Sequence, residues 1–235
     1  MDAPNHIGII MDGNRRYAKS NLISSLSGHK SGAKKVHDVI KWCKEYKLKE
    51  LTLYAFSMEN FSRSETEVSY LMNLFNYEFK SLISDEINTQ KLSRNGIKIN
   101  LIGRLKLFSK ELINTVMTLK ELTKNNNSLT VNFALAYGGR AELVDAVKQI
   151  AKQAVDKKIN PDEIDETTID LNVYNPSEPD IIIRTGGEKR LSGFLLWQSA
   201  YSELIFVNKY WPEFEKEDFL ECLKEFSNRK RNFGK

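Results

Sequence analysis

Short apolar runs alternate along this chain with longer stretches in which apolar residues return every three or four positions. Ile7 to Met11 is a continuous apolar run, which predicts a strand buried on both faces. It stops at Asp12-Gly13-Asn14, residues that accept sharp turns and unusual φ. Leu51 to Phe56 predicts a second strand and Ile97 to Gly103 a third. Thr130 to Ala136 alternates, with Val131, Phe133 and Leu135 on one face and Asn132, Ala134 and Ala136 on the other. The small residues of the second face leave room for a packed helix or a ligand. Pro179 to Arg184 and Leu204 to Val207 complete the set.

Between these runs the spacing is helical. A helix is predicted from Gly28 to about Tyr46 through Val36, Val39, Ile40 and Cys43, after a polar loop from Lys19 to Ser27. Another starts at Ser64, where Ser64 and Glu67 suggest a capping box, and carries Val68, Leu71, Met72, Phe75, Phe79, Leu82 and Ile83 on one stripe. Further helices are expected at about 109–123, 141–155 and 216–226, with a short acidic one near 161–168. Alternating strands and helices imply an α/β class: a mainly parallel central sheet of about six strands surrounded by helices. No linker, repeat or low-complexity block divides residues 1–235, so a single domain is expected.

Composition narrows the classes. The 235 residues are 41% hydrophobic and 28% charged, ordinary for a globular chain. No apolar run approaches the roughly 20 residues that cross a bilayer, and the N-terminus lacks the basic-then-apolar layout of a signal peptide. The net charge of +4 favours anionic ligands or membrane surfaces. The basic residues alternate with 31 acids, which argues against a nucleic-acid face. Cys43 and Cys222 lie far apart within helical patterns and read as reduced thiols of a cytoplasmic protein. The three histidines form no zinc cluster.

The candidate chemistry sits where strands end. Ligands of an open α/β sheet bind at the carboxyl ends of its strands. After the first strand come Asp12, a glycine turn and paired Arg15 and Arg16, a set suited to a phosphorylated molecule carrying a divalent cation. Gly28-His29-Lys30-Ser31-Gly32 opens a helix and offers a second phosphate contact at His29, with glycines that allow close approach of a ligand. It lacks the Gly-Lys-Ser/Thr ending of a nucleotide P-loop. The second strand runs into Ser57-Met58-Glu59-Asn60-Phe61-Ser62-Arg63, and the fifth into Arg184-Thr185-Gly186-Gly187-Glu188-Lys189-Arg190-Leu191-Ser192. The last set places two arginines around a glycine pair, and forked guanidiniums suit phosphate. Two anion sites beside apolar positions imply two phosphorylated substrates, or one long one, with an apolar remainder.

These motifs together resemble the cis-prenyltransferases, the undecaprenyl and dehydrodolichyl diphosphate synthase family, over nearly the full chain. The resemblance rests on 6–16, 28–32, 54–63, Tyr137-Gly138-Gly139-Arg140, 183–188, and 194–198 with Tyr201 and Glu203. It implies extension of an allylic diphosphate (farnesyl or geranylgeranyl diphosphate) by isopentenyl diphosphate, with magnesium as cofactor. It implies that Asp12 is catalytic and binds Mg2+ together with Glu203, and that Asn60 assists proton removal by orienting groups. By the same analogy Gly13, Asn14, Arg15, Arg16, Tyr17 and His29 hold the allylic substrate. Ser57, Met58, Glu59, Phe61 and Arg63 surround Asn60, and Arg184, Arg190, Leu191 and Ser192 bind isopentenyl diphosphate.

The family also implies a hydrophobic tunnel walled by the 68–83 helix and strands 51–56 and 131–135. It implies a homodimer, a basic 229–234 tail that reaches toward the active site, and peripheral membrane contact without an anchor. Ser25 stands where bacterial members usually carry a phosphate-binding arginine, while Arg15 and Tyr17 replace their glycine and tryptophan, which leans toward archaeal or eukaryotic members. Lys189 takes a position that is histidine in some members. The alternative role is a non-catalytic scaffold subunit of a heteromeric enzyme. A trans-prenyltransferase would need Asp-Asp-x-x-Asp, which the sequence lacks.

Overall fold

The computed structural model describes residues 3–83, 90 and 92–229. Six strands form: β1 (His6–Ile10), β2 (Glu50–Ser57), β3 (Ile97–Ile102), β4 (Leu129–Tyr137), β5 (Ile181–Arg184) and β6 (Glu203–Phe206). They make one sheet of order β3-β4-β2-β1-β5-β6 in which every neighbouring pair is parallel. The α/β expectation holds, and the apolar first run is the middle of the sheet. Every residue of β1 is buried, as a strand covered on both faces requires.

The helices are α1 (Asn14–Ser20), α2 (Ser25–Glu45), α3 (Glu65–Ile83), α4 (Lys110–Thr123), α5 (Gly139–Val155), α6 (Glu166–Asp170) and α7 (Lys216–Asn228). On one face of the sheet, Ile7, Ile9, Leu51, Leu53 and Val131 join the main core beneath Val39, Cys43, Leu119 and Phe219. On the other, Ile10, Tyr54, Ala134 and Ile182 pack with Phe194 and Leu195. Of the small residues expected on the second face of β4, Ala134 packs against protein side chains here, whereas Ala136, at φ +46°, departs from the alternation and joins the main core on the first face.

The largest boundary correction lies between β1 and α2. The polar stretch from Lys19 to Ser27 is not one loop. It holds the end of α1, a short turn, and the start of α2, which Ser24 caps by accepting from Ser27 N at 3.1 Å. The glycines of α2 seat α1, and Gly32 also lines a cavity. A Cβ at Gly28 would stand 2.4 Å from Asn14 O, and one at Gly32 would stand 2.2 Å from Asn14 Oδ1. They let α1 lie against α2, and the short polar side chains of 19–27 hid both helix ends. The acidic 161–168 helix is a single 3-10 turn over Pro161–Glu163 followed by α6.

A polar ring fastens the amino ends of the strands. Asn132 donates to Thr52 Oγ1 at 3.0 Å, and Ser177 donates to Glu50 Oε2 at 2.7 Å. His6 bridges the two, with Nε2 2.8 Å from Thr52 Oγ1 and Nδ1 3.1 Å from Ser177 Oγ. A neutral ring satisfies all four contacts when Thr52 donates to Nε2 and Nδ1–H donates to Ser177. Burial, only partly opposed by Glu50, favours that neutral form by holding the His6 pKa below the ordinary 6.5. Both cysteines are buried and unpaired, and burial pushes Cys222 up to about 12, so neither is a reactive thiolate.

Candidate active site

The strand order decides where the site lies. From β1 the chain first builds outward through β2, and later returns to add β5 on the other flank. The crevice of an open sheet falls at this reversal, beyond the carboxyl ends of β1 and β5. In register Ile10 faces Arg184, so the turn after β1 and the end of β5 are brought together there. Gly13 makes that turn possible. Its φ is +110°, and a Cβ would strike Tyr210 at 2.9 Å.

Asp12 and three arginines form the centre. Asp12 Oδ2 accepts from Arg184 Nη2 at 2.8 Å, and Oδ1 lies 3.0 Å from Arg16 Nη2. Burial raises the Asp12 carboxyl, but hydrogen bonds and charge from Arg184 and Arg16 outweigh it and hold the pKa below the ordinary value. Arg184, only 5% exposed, also donates to Ser192 Oγ at 2.8 Å and to the Arg190 carbonyl. Arg16 donates to Gly186 O at 2.7 Å, stands over the Tyr210 ring at 5.6 Å and lies 3.6 Å from Glu188. Arg190 is exposed and paired with Glu188. Ser192 sits at φ +50°, a backbone cost that marks a loop held in shape by its surroundings.

A second cluster forms where α2 meets α3. Glu67 Oε1 lies 3.1 Å from His29 Nε2, accepts from Arg63 Nη1 at 2.9 Å and is 4.0 Å from Arg15 Nε. The structure corrects the capping box here. Ser64 Oγ does accept from Glu67 N at 3.3 Å, but the Glu67 carboxylate turns to the cations instead. Its spacing four residues after Arg63 was the available sign of this pairing. Burial holds His29 below its usual pKa, opposed in part by the hydrogen bond to Glu67, and with an ionised carboxylate as partner Nε2 is the donor of that bond. Asn60 Oδ1 accepts from Ser57 N at 3.1 Å, closing a box with Ser57 over the 3-10 turn Met58–Ser62. The amide is thus spent in part on holding this loop.

The remaining sequence candidates divide. Met58 packs near Gly138, while Phe61 turns into an aromatic cluster 4.9 Å from Phe56. Leu191 packs with the Phe194 cluster, Glu59 is exposed, and Tyr17 is half-buried on α1. Glu203 opens β6 opposite Ile181, at the amino end of the sheet, where it pairs with Arg229. Parallel register therefore keeps it from Asp12 within one chain. Residues 230–235, most of the basic tail, lie outside the described residues.

Beside Asp12 and the Glu67 cluster opens a cavity of about 360 Å³. Asn14 and His29 stand at its mouth, Phe75, Phe79 and Phe133 line its walls, and Ile97 lies at its far end. The expected walls from β2, β4 and α3 are present, and α2 supplies another that the sequence reading did not include.

The oxygen donors here fit magnesium: Asp12 offers an ionised carboxylate and Asn14 Oδ1 is buried without a hydrogen-bond partner, while the unpartnered Arg184 Nε–H suits a phosphate oxygen rather than a cation. Among the described residues no three His, Cys, Asp or Glu side chains gather for a metal. Mg2+ suits such a sparse site, because it keeps water and takes phosphate oxygens rather than filling an all-protein cage.

Comparison with known proteins agrees with the geometry. Residues 10–234 match the family model described as putative undecaprenyl diphosphate synthase. A protein of Thermoplasma acidophilum is 47% identical over 99% of this chain and 89% of its own length. One of Thermococcus kodakarensis is 46% identical over 99% and 87%. Both are named tritrans,polycis-undecaprenyl-diphosphate synthase (geranylgeranyl-diphosphate specific). Lavandulyl diphosphate synthase from Lavandula x intermedia, solved with dimethylallyl diphosphate, superposes with TM-score 0.90 at 33% identity, covering 99% of both chains. A probable undecaprenyl diphosphate synthase of Campylobacter jejuni gives 0.81 at 31%, covering 100% of both.

Proposed function

Because this chain belongs to the undecaprenyl diphosphate synthase family of cis-prenyltransferases, we propose that it lengthens an allylic diphosphate with isopentenyl diphosphate in successive cis condensations. Each round releases one pyrophosphate. The observation that carries this reading is the meeting of Asp12 and Arg184 at the sheet's reversal point, beside an apolar cavity. Geranylgeranyl diphosphate is the primer we assign, following the names of the relatives from Thermoplasma and Thermococcus. The product is then a polyprenyl diphosphate that serves as a lipid-carrier precursor.

In this reading Asn14, Arg15, Arg16 and His29 grip the allylic diphosphate, with Gly13 shaping the turn beneath it and Tyr17 flanking the prenyl chain. Arg184, Arg190 and Ser192 hold isopentenyl diphosphate, with Arg184 Nε a donor free to meet a phosphate oxygen. Asp12 would hold the metal. Magnesium supplies neutralisation of the charge that grows on the leaving diphosphate. Glu67 fixes His29 and Arg63. Asn60 and Ser57 hold the loop over the reacting carbons, and an amide is too weak a base to take the proton, which passes to pyrophosphate. The active form is a homodimer that meets the membrane at its surface when product leaves. Among the described residues no helix is long and apolar enough to cross a bilayer.

The test is incubation of the purified protein with radiolabelled isopentenyl diphosphate, magnesium and geranyl, farnesyl or geranylgeranyl diphosphate in turn, with products separated by length. A ladder built on geranylgeranyl diphosphate is expected. No incorporation with any primer, from folded protein, would overturn the reading in favour of a non-catalytic scaffold subunit.

A further inference from the structure

The cavity is roofed by α2 and α3, two helices that both run from the mouth toward the amino end of the sheet. Polar ties cross between α2 and the far side at three levels. His29 meets Glu67 at 3.1 Å at the mouth, and His37 Nε2 meets Glu78 Oε2 at 3.3 Å farther along. Lys44 Nζ donates to Asn95 Oδ1 at 2.6 Å near the far end. His37 lies about 12 Å along α2 from His29, close to two helical turns. Between the ties α2 presents Val36 and Ile40 to the cavity, and α3 presents Phe75 and Phe79.

The middle tie has no place in the diphosphate chemistry. His37 and Glu78 both line the cavity, yet their side chains are 49% and 29% exposed, so the pair has the apolar space on one side and solvent on the other. The cavity's other long wall is the sheet, whose strands are joined by backbone hydrogen bonds that a growing chain cannot part. Between α2 and α3 only side chains close the seam. A polyprenyl chain that outgrows the cavity thus meets here, among the described residues, a wall that side chains alone hold closed.

We propose that the His37–Glu78 pair is a lateral latch of the product cavity, which holds α2 to α3 and sets the length at which chain growth stops. The inference rests on the polyprenyl synthase reading above and adds two length-determining residues to it. Neither residue touches a diphosphate site. One solvent-exposed polar contact shifts a two-state equilibrium by roughly two- to fivefold, so the effect should be graded rather than all-or-none.

The experiment measures product-length distributions of the full chain for the wild type, His37→Ala, Glu78→Ala and the double variant, all with the same primer. Each single variant should raise the fraction of products longer than the wild-type stop by roughly two- to fivefold. The double variant should match the singles rather than multiply them, because the second substitution removes a tie already broken. Multiplying effects would mean that each side chain acts by its own bulk, and would overturn the latch. An unchanged ladder in all three variants, with wild-type rates for the first condensation, would also overturn it. Should a variant fail to fold, Glu78→Met removes the polar partner of His37 at nearly constant size and must give the same shift. A wild type that incorporates nothing would defeat the synthase reading itself, a separate outcome.

Discussion

Asp12 Oδ2 accepts a hydrogen bond from Arg184 Nη2 at 2.8 Å, joining the turn after β1 to the end of β5. The residue assigned to the metal and the residue assigned to isopentenyl diphosphate thus neutralise each other before any ligand arrives. Arg16 holds the other Asp12 oxygen at 3.0 Å, so a cation on Asp12 competes with both guanidiniums and turns them toward phosphate. Metal and diphosphates should therefore help each other to bind.

Replacing Asp12 by Asn should leave the fold in place and lower turnover about a thousandfold, the equivalent of about 4 kcal/mol of barrier. Single-turnover rates beside a thermal melt would check this. Turnover within tenfold of wild type, as an approximate limit, would remove Asp12 from the metal.

Arg184→Lys keeps the charge but loses the fork that reaches Asp12, Ser192 and the Arg190 carbonyl at once. The KM for isopentenyl diphosphate should rise by roughly tenfold or more, the equivalent of one charged hydrogen bond, with a smaller change for the primer. Equal rises for both substrates would show that Arg184 does not separate the two sites.

Gly32→Ala should disturb the primer site from outside it. The added methyl would stand 2.2 Å from Asn14 Oδ1 and 2.9 Å from Trp211, and Asn14 is the nearer group to yield. A stability loss of about 1–3 kcal/mol is expected from overpacking, with weaker primer binding. Urea unfolding and the primer KM are the readouts, and a variant indistinguishable from wild type in both would contradict this packing.

His6 should make stability fall on acidification. Its folded pKa lies below its ordinary 6.5, so between the two values the unfolded chain takes up a proton that the folded ring refuses. Stability is full above 6.5 and declines as pH falls through that window, a direction that His29 shares. Urea midpoints at about pH 7.5 and about pH 5.5 should drop for the wild type, and drop less for His6→Gln, which cannot titrate. Equal drops in both would place the titration elsewhere.

What the residues determined alone is considerable. Short apolar or alternating runs bounded by turn signals marked the six strands, and helical spacing marked most of the helices. Spacing did not mark α1, and the apolar 194–197 run forms turns rather than a strand. Asp12, Arg16, Arg184 and Ser192 were legible because charge at the carboxyl end of a buried strand has few other uses. Tertiary structure decided the rest. Strand order placed β1 beside β5 and so joined Asp12 to Arg184, residues far apart along the chain. Register carried Glu203 to the opposite end of the sheet, where a motif alone had grouped it with Asp12. Glu67 looked like a helix cap until α3 brought its carboxylate against His29 on α2. The His37–Glu78 tie could not be foreseen at all, because which faces of two helices meet is set by their packing on the sheet, and no local pattern encodes it.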